Sequence, residues 1–148
     1  MSLKPLNQGI LNMNGGIEMV YKLETYIHSD IKDVKNTVEE ILLNIKDKIS
    51  ESHFFNTKLI LNELIINGVL HGNQQDTNKL IGINLCLNKS CIIIEVTDEG
   101  TGVIYKHKNC GDFDYCESGR GLMIVEGLSD KFAIEGNRVT CIQYLKEL

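Results

Sequence analysis

Three short stretches carry residue types at spacings suited to chemistry. In the first, Glu63, Asn67 and His71 recur every four residues. On a helix that turns about 100° per residue they fall in one row, an acid, an amide and an imidazole. Magnesium takes hard oxygen ligands and usually keeps several waters. The side-chain oxygen of Asn67 supplies such a ligand without adding negative charge beside phosphates. Glu63, one turn earlier, can hold a metal-bound water or accept a proton from an attacking hydroxyl. The second stretch is Asp98-Glu99-Gly100-Thr101-Gly102. A carboxylate here can accept a hydrogen bond from the exocyclic amino group of adenine. Guanine offers a carbonyl oxygen at that point, so ATP is favoured over GTP. Gly100 and Gly102 let the backbone turn sharply and approach a flat base. The third is Ser118-Gly119-Arg120-Gly121-Leu122. Glycines at a helix start present backbone N–H groups to an anion, and Arg120 either adds charge toward a phosphate or points to solvent.

Each stretch has a plainer reading by itself: a polar helix face, an Asp/Gly turn, a hinge before a helix. Specificity lies in their order and in the elements that must carry them. Val20 to Ile27 alternates partly and reads as an edge strand. Ser29 or Asp30 offers a helix N-cap. Val34, Val38, Ile41, Leu42, Ile45 and Ile49 then form one apolar helical stripe. A second helix is expected from near Phe54 to about His71, ended by Gly72-Asn73. Leu61, Leu64, Ile65, Gly68 and Val69 gather on one side of it, beside the Glu63 row. Ile81, Ile83, Leu85 and Leu87 alternate as a half-buried strand. A turn at Asn88-Lys89-Ser90 leads to its partner, Cys91 to Thr97.

Val103 to Ser118 reads as a long loop, an uncommon feature that is often functional. Gly119-Arg120-Gly121 leads into a short helix from Leu122 to about Leu128. Lys131–Glu135 and Arg138–Tyr144 close the chain as a hairpin around Gly136-Asn137. The order predicts an α+β fold, a two-layer sandwich of a mainly antiparallel sheet with helices on one face. Residues 1–18, polar and rich in Gly and Asn, are expected to be a poorly ordered extension. Residues 19–148 form the single domain, with Met19 a possible alternative start.

Composition narrows the class. The chain has 148 residues and a net charge of −5, which argues against a broad basic surface for nucleic acid. No apolar run approaches the roughly 20 residues of a membrane span. A secretory signal is not apparent. The five cysteines include no CxxC pair, which suits a reducing cytoplasm. His107, Cys110 and Cys116, with Asp112 and Asp114, match no zinc spacing. Tyr105, Phe113 and Tyr115 are read as residues that order the long loop.

Taken together, the stretches resemble the GHKL ATP-binding superfamily of gyrase-type, chaperone, histidine-kinase and mismatch-repair ATPases. ELIINGVLHGN looks like its N box, DEGTG its G1 box and GRGL its G2 box, with the intervening loop as the ATP lid. The resemblance runs from about Val20 to Leu145 and implies a Bergerat-type sandwich. Within the superfamily the chain is most similar to bacterial anti-sigma-factor serine/threonine kinases, through Glu117 to Val125 and Gly136 to Thr140.

That likeness implies ATP and magnesium as cofactors, with Asn67 the metal ligand and Glu63 the general base. Asp98 would bind the adenine amino group, with Gly100 and Gly102 lining the base. Gly119, Arg120, Gly121 and Leu122 would form the phosphate-contacting end of the lid. Thr140 would lie near the adenine. It also implies a homodimer, a sigma factor and an anti-anti-sigma (STAS-type) protein as partners, and transfer of the γ-phosphate to a serine of the latter. Two departures stand out: Gly68 replaces the usual alanine after the asparagine, and the lid has no prolines. Two other readings are a histidine-kinase-type catalytic domain acting in trans and a nucleotide-gated binding module without turnover.

Overall fold

The computed structural model describes residues 4–5, 19–102 and 117–145. Its elements, in chain order, are β1 (Lys4–Pro5), β2 (Met19–His28), α1 (Ile31–Ile45), α2 (Glu51–Asn67), β3 (Leu80–Asn88), β4 (Cys91–Thr97), α3 (Glu117–Leu128), β5 (Lys131–Glu135) and β6 (Arg138–Tyr144). The six strands form one sheet in the order β1-β2-β3-β4-β6-β5, and every neighbouring pair is antiparallel. The fold is the expected α+β sandwich.

Strand alternation decides which face the helices cover. Leu23 opposes Leu85, which opposes Ile94, which opposes Cys141; all four side chains are fully buried. The intervening residues, such as Lys22, Cys86, Ile93 and Ile142, point to the other face. The apolar stripe of α1 (Val34, Val38, Ile41, Leu42, Ile45) and that of α2 (Ile60, Leu61, Leu64, Ile65) share a single core with the inner face of the sheet. Burial of this aliphatic surface is the main drive to fold. Burial also pushes the Cys141 thiol up to about 12, so it packs as a neutral, small apolar group. Cys86, Cys91 and Cys141 are all free thiols.

Local chemistry sets the helix ends. Asp30 is the N-cap of α1, its carboxylate accepting from the Lys32 N–H at 3.0 Å. Ser29 is instead buried and turned inward, its hydroxyl bonded to the Lys79 carbonyl at 2.9 Å. Ser50 caps α2 through the His53 N–H at 3.2 Å, so this helix starts three residues before Phe54. A buried hydrogen bond from Gln143 Nε2 to Thr57 Oγ1, 3.0 Å long, ties β6 to α2 and fixes where that helix lies on the sheet.

Three expectations change. Lys4 and Pro5, placed by sequence in a loose extension, pair with Glu24 and Leu23 on the outer side of β2. Proline is tolerated there because an edge residue needs no donor toward solvent. The remainder of residues 1–18 lies outside the described residues, as do Tyr105, His107, Cys110, Asp112, Phe113, Asp114, Tyr115 and Cys116. The last helix starts at Glu117, not Leu122, so Gly119-Arg120-Gly121 is helical. Beyond Asn67 the second helix widens into a π turn at Gly68–Gly72, closed by the Asn73 N–H on the Gly68 carbonyl at 2.8 Å. Among the described residues, no helix is long and apolar enough to cross a membrane.

Candidate nucleotide site

Asn67 sits at the last turn of α2, on the flank of its apolar stripe, and is 8% exposed. Its Oδ1 is buried and has no hydrogen-bond partner among the described residues. Buried polar atoms are nearly always satisfied, so an orphaned carbonyl oxygen asks for a donor or a cation. A neutral amide oxygen is the ligand type that magnesium accepts. The residues present therefore fit the ion.

Asp98 follows the last residue of β4 and faces the helix layer, as Val96 and Ile94 do. It is 7% exposed. Its Oδ1 accepts from the Gly100 N–H at 2.7 Å. Burial pushes its carboxyl above the ordinary carboxylate range, partly offset by the Gly100 N–H and the charge of Lys79. The end of α2 comes directly against it. A Cβ on Gly68 would stand 3.7 Å from the Asp98 Cβ, and one on Gly72 would collide with the Asp98 carboxylate. A Cβ on Gly100 would strike the Gly72 carbonyl oxygen. Asn67, through its neighbour Gly68, and Asp98 thus share one side of the molecule. Gly102 has φ +119, a conformation that glycine adopts without steric cost.

Glu63, one turn before Asn67, meets α3. A Cβ on Gly121 would lie 2.5 Å from Glu63 Oε2, so the glycine makes room for the carboxylate. The structure thus sets Gly121 against Glu63. Gly121 lies on the second turn of α3, past the free N–H groups of a helix start. Gly119 lies in the first turn, where such groups occur. Arg120 is exposed, as solvent or phosphate would require. Leu122 is 1% exposed and belongs to the core, so its side chain packs instead of reaching a ligand.

Thr140 does not join the group. It sits opposite Glu95, between the buried Val139 and Cys141, and its hydroxyl donates to Glu95 Oε2 at 3.4 Å on the outer face of the sheet. The period of two puts Val139 on the inner face instead. His71 also leaves the row of Glu63 and Asn67. It is exposed, because the π turn between them departs from the α-helical repeat.

Sequence reasoning misses Gly72, Asn73 and Asn137 as parts of this site. By sequence, Gly72 and Asn73 are only a helix stop, and Asn137 is half of a hairpin turn. Asn73 is fully buried and bonded to three other residues through its side chain. The available signal is a second amide six residues after Asn67, in a place where a helix ordinarily needs none.

With this geometry in place, the comparison with known families is specific. A family model described as "Histidine kinase-like ATPase domain" matches residues 28–144, and the chain belongs to that family. Domains of this family bind ATP, usually with magnesium. A search of curated proteins found no match. Among the described residues, no group of three or more His, Cys, Asp or Glu could hold a metal ion.

Proposed function

We propose that the protein is an ATP-dependent serine/threonine protein kinase of the anti-sigma-factor type, cytoplasmic and dimeric. Its substrate would be a serine of an anti-anti-sigma (STAS-type) protein, and it would also sequester a sigma factor. The observation that carries the catalytic part is the Glu63 carboxylate, one turn from Asn67 and kept clear by Gly121. In this reading Asp98 accepts a hydrogen bond from the adenine amino group, and Gly100 and Gly102 border the base. When bound, a magnesium ion would supply charge neutralisation on the phosphates, and Asn67 Oδ1 would be the side-chain atom that holds it. Glu63 orients the serine hydroxyl and takes its proton. The serine oxygen forms a bond to the γ-phosphorus as the bond from that phosphorus to the β,γ-bridging oxygen breaks, and ADP leaves.

The partners and the serine acceptor rest on the likeness of residues 117–125 and 136–140 to anti-sigma-factor kinases. The test is incubation with labelled ATP, magnesium and a candidate STAS-type protein, using wild type and Glu63→Ala. The expected result is acid-stable label on the partner with wild type only, at ATP affinities equal within a few-fold. Acid-labile label would favour histidine transfer, and tight ATP binding without label would favour a nucleotide-gated binding module. Equal transfer by Glu63→Ala would remove the base assignment. Sedimentation of the full chain measures the dimer.

A further inference from the structure

The peptide that joins Asp98 to Glu99 is gripped on both edges by asparagine side chains from distant parts of the chain. Its carbonyl oxygen accepts from Asn137 Nδ2, in the β5–β6 turn. Its N–H donates to Asn73 Oδ1 at 2.7 Å, just past the π turn. The preceding peptide is held as well, since the Asp98 N–H donates to the Asn137 carbonyl at 3.1 Å. Both peptide planes flanking the Asp98 Cα are therefore anchored, which fixes its φ and ψ. The Gly100 N–H on Oδ1, at 2.7 Å, then restrains the side chain.

Asn73 is itself held from every side. Its amide donates to Ser29 Oγ at 2.7 Å and to the Leu80 carbonyl at 3.0 Å. The Leu80 N–H donates to Glu99 Oε2 at 2.5 Å, which closes a ring of hydrogen bonds through Asn73, Leu80 and Glu99. This one side chain ties together the ends of α2 and β2, the start of β3 and the segment after β4. Fully satisfied, such a network rigidifies the segments it joins. A buried asparagine must satisfy two donors and an acceptor, and an apolar residue would pack here without that requirement.

We infer that Asn73 and Asn137 are positioning residues for purine recognition: they set the Asp98 carboxylate in place and thereby the preference for adenine over guanine. The inference rests on the reading of Asp98 given under Proposed function. A carboxylate that reads one exocyclic group must sit within hydrogen-bond reach of it, and small misplacement forfeits the discrimination.

The test compares full-length wild type, Asn73→Ala, Asn137→Ala and Asp98→Asn. Affinities for ATP and GTP are measured by calorimetry with magnesium present, and Tm is measured in parallel. Asn137 is half-buried in a turn, so its alanine variant keeps the fold and decides the matter even if Asn73→Ala fails to fold. The expected result for Asn137→Ala, and for folded Asn73→Ala, is about tenfold weaker ATP binding with a reduced ATP-to-GTP ratio. A lowered Tm with an unchanged ratio would mark a merely structural role and overturn the inference. Asp98→Asn separates the two levels. If it lowers the ratio while Asn137→Ala does not, the positioning role alone is lost. If it leaves the ratio unchanged, the reading of Asp98 fails and the inference with it.

Discussion

Gly121 of α3 stands directly over the carboxylate of Glu63 on α2, where a Cβ would come within 2.5 Å of Oε2. The obstructing atom is the end of a flexible side chain, so an added methyl moves the carboxylate and leaves the helices where they are. Gly121→Ala is therefore expected to keep Tm and ATP affinity close to wild type while slowing phosphotransfer about 10- to 100-fold. Single-turnover transfer and an ATP titration on the same sample check this. Parallel loss of stability and affinity would contradict it.

Gly72 and Gly100 pack against each other and both border the Asp98 side chain, yet their substitutions are expected to act differently. Alanine at 72 meets the aspartate side chain, whereas alanine at 100 meets backbone, the Gly72 carbonyl. Gly72→Ala should weaken ATP binding about tenfold or more with a modest change in Tm. Gly100→Ala should destabilise the fold itself by about 1–3 kcal/mol, the usual cost of overpacking. Chemical denaturation of both apo-proteins, with ATP titrations, tells them apart.

Burial of the Asp98 carboxylate comes at some expense of stability. Its pKa in the folded chain is raised, chiefly by burial. Between the unfolded and the raised folded value the native state binds the extra proton, so this group makes stability fall as pH rises through that window. Above it, the charged form is the one buried. Asp98→Asn should therefore raise the Tm of the ligand-free protein at neutral pH while lowering ATP affinity about 10- to 100-fold. Wild-type ATP binding should also weaken as pH falls, beginning above the range of an ordinary carboxylate, and this component should vanish in Asp98→Asn. Calorimetry across pH measures it.

Asn67 carries one of two buried side-chain oxygens without a hydrogen-bond partner among the described residues, the other being on Asn84. Asn67→Leu removes a buried polar atom that has no partner among the described residues, so apo stability should hold or rise slightly. The gain in ATP affinity that wild type draws from added magnesium should disappear in the variant. Titrations with magnesium and with a chelator give the comparison. A variant that still responds fully to magnesium would show that the ion is held elsewhere.

Much of this arrangement is legible in the amino-acid sequence. Period-two alternation locates β3, β4 and the final hairpin to within a residue, because half-buried strands write their geometry into every second side chain. The apolar stripe of α1 is equally plain. The start of α3 is hidden because Gly119 and Gly121 have low helix propensity. Motif likeness misplaces Thr140, although its alternation with Val139 and Cys141 already points it away from Asp98. Asn73 is hidden for a different reason. Its partners Ser29, Leu80 and Glu99 are 44, 7 and 26 residues away, and nothing local announces a contact between such distant points.

The widened turn at Gly68–Gly72 gives the chain one unusual sensitivity. It acts as a vernier between two halves of the binding machinery: everything before it is indexed to α2, everything after it to the sheet. Shortening that stretch by a single residue would rotate the downstream chain by about 100° relative to Asn67. The Asn67 amide would stay where it is, and Asn73 would swing away from the strand ends it unites. Length there, more than the chemical identity of any one side chain, keeps the two halves in register.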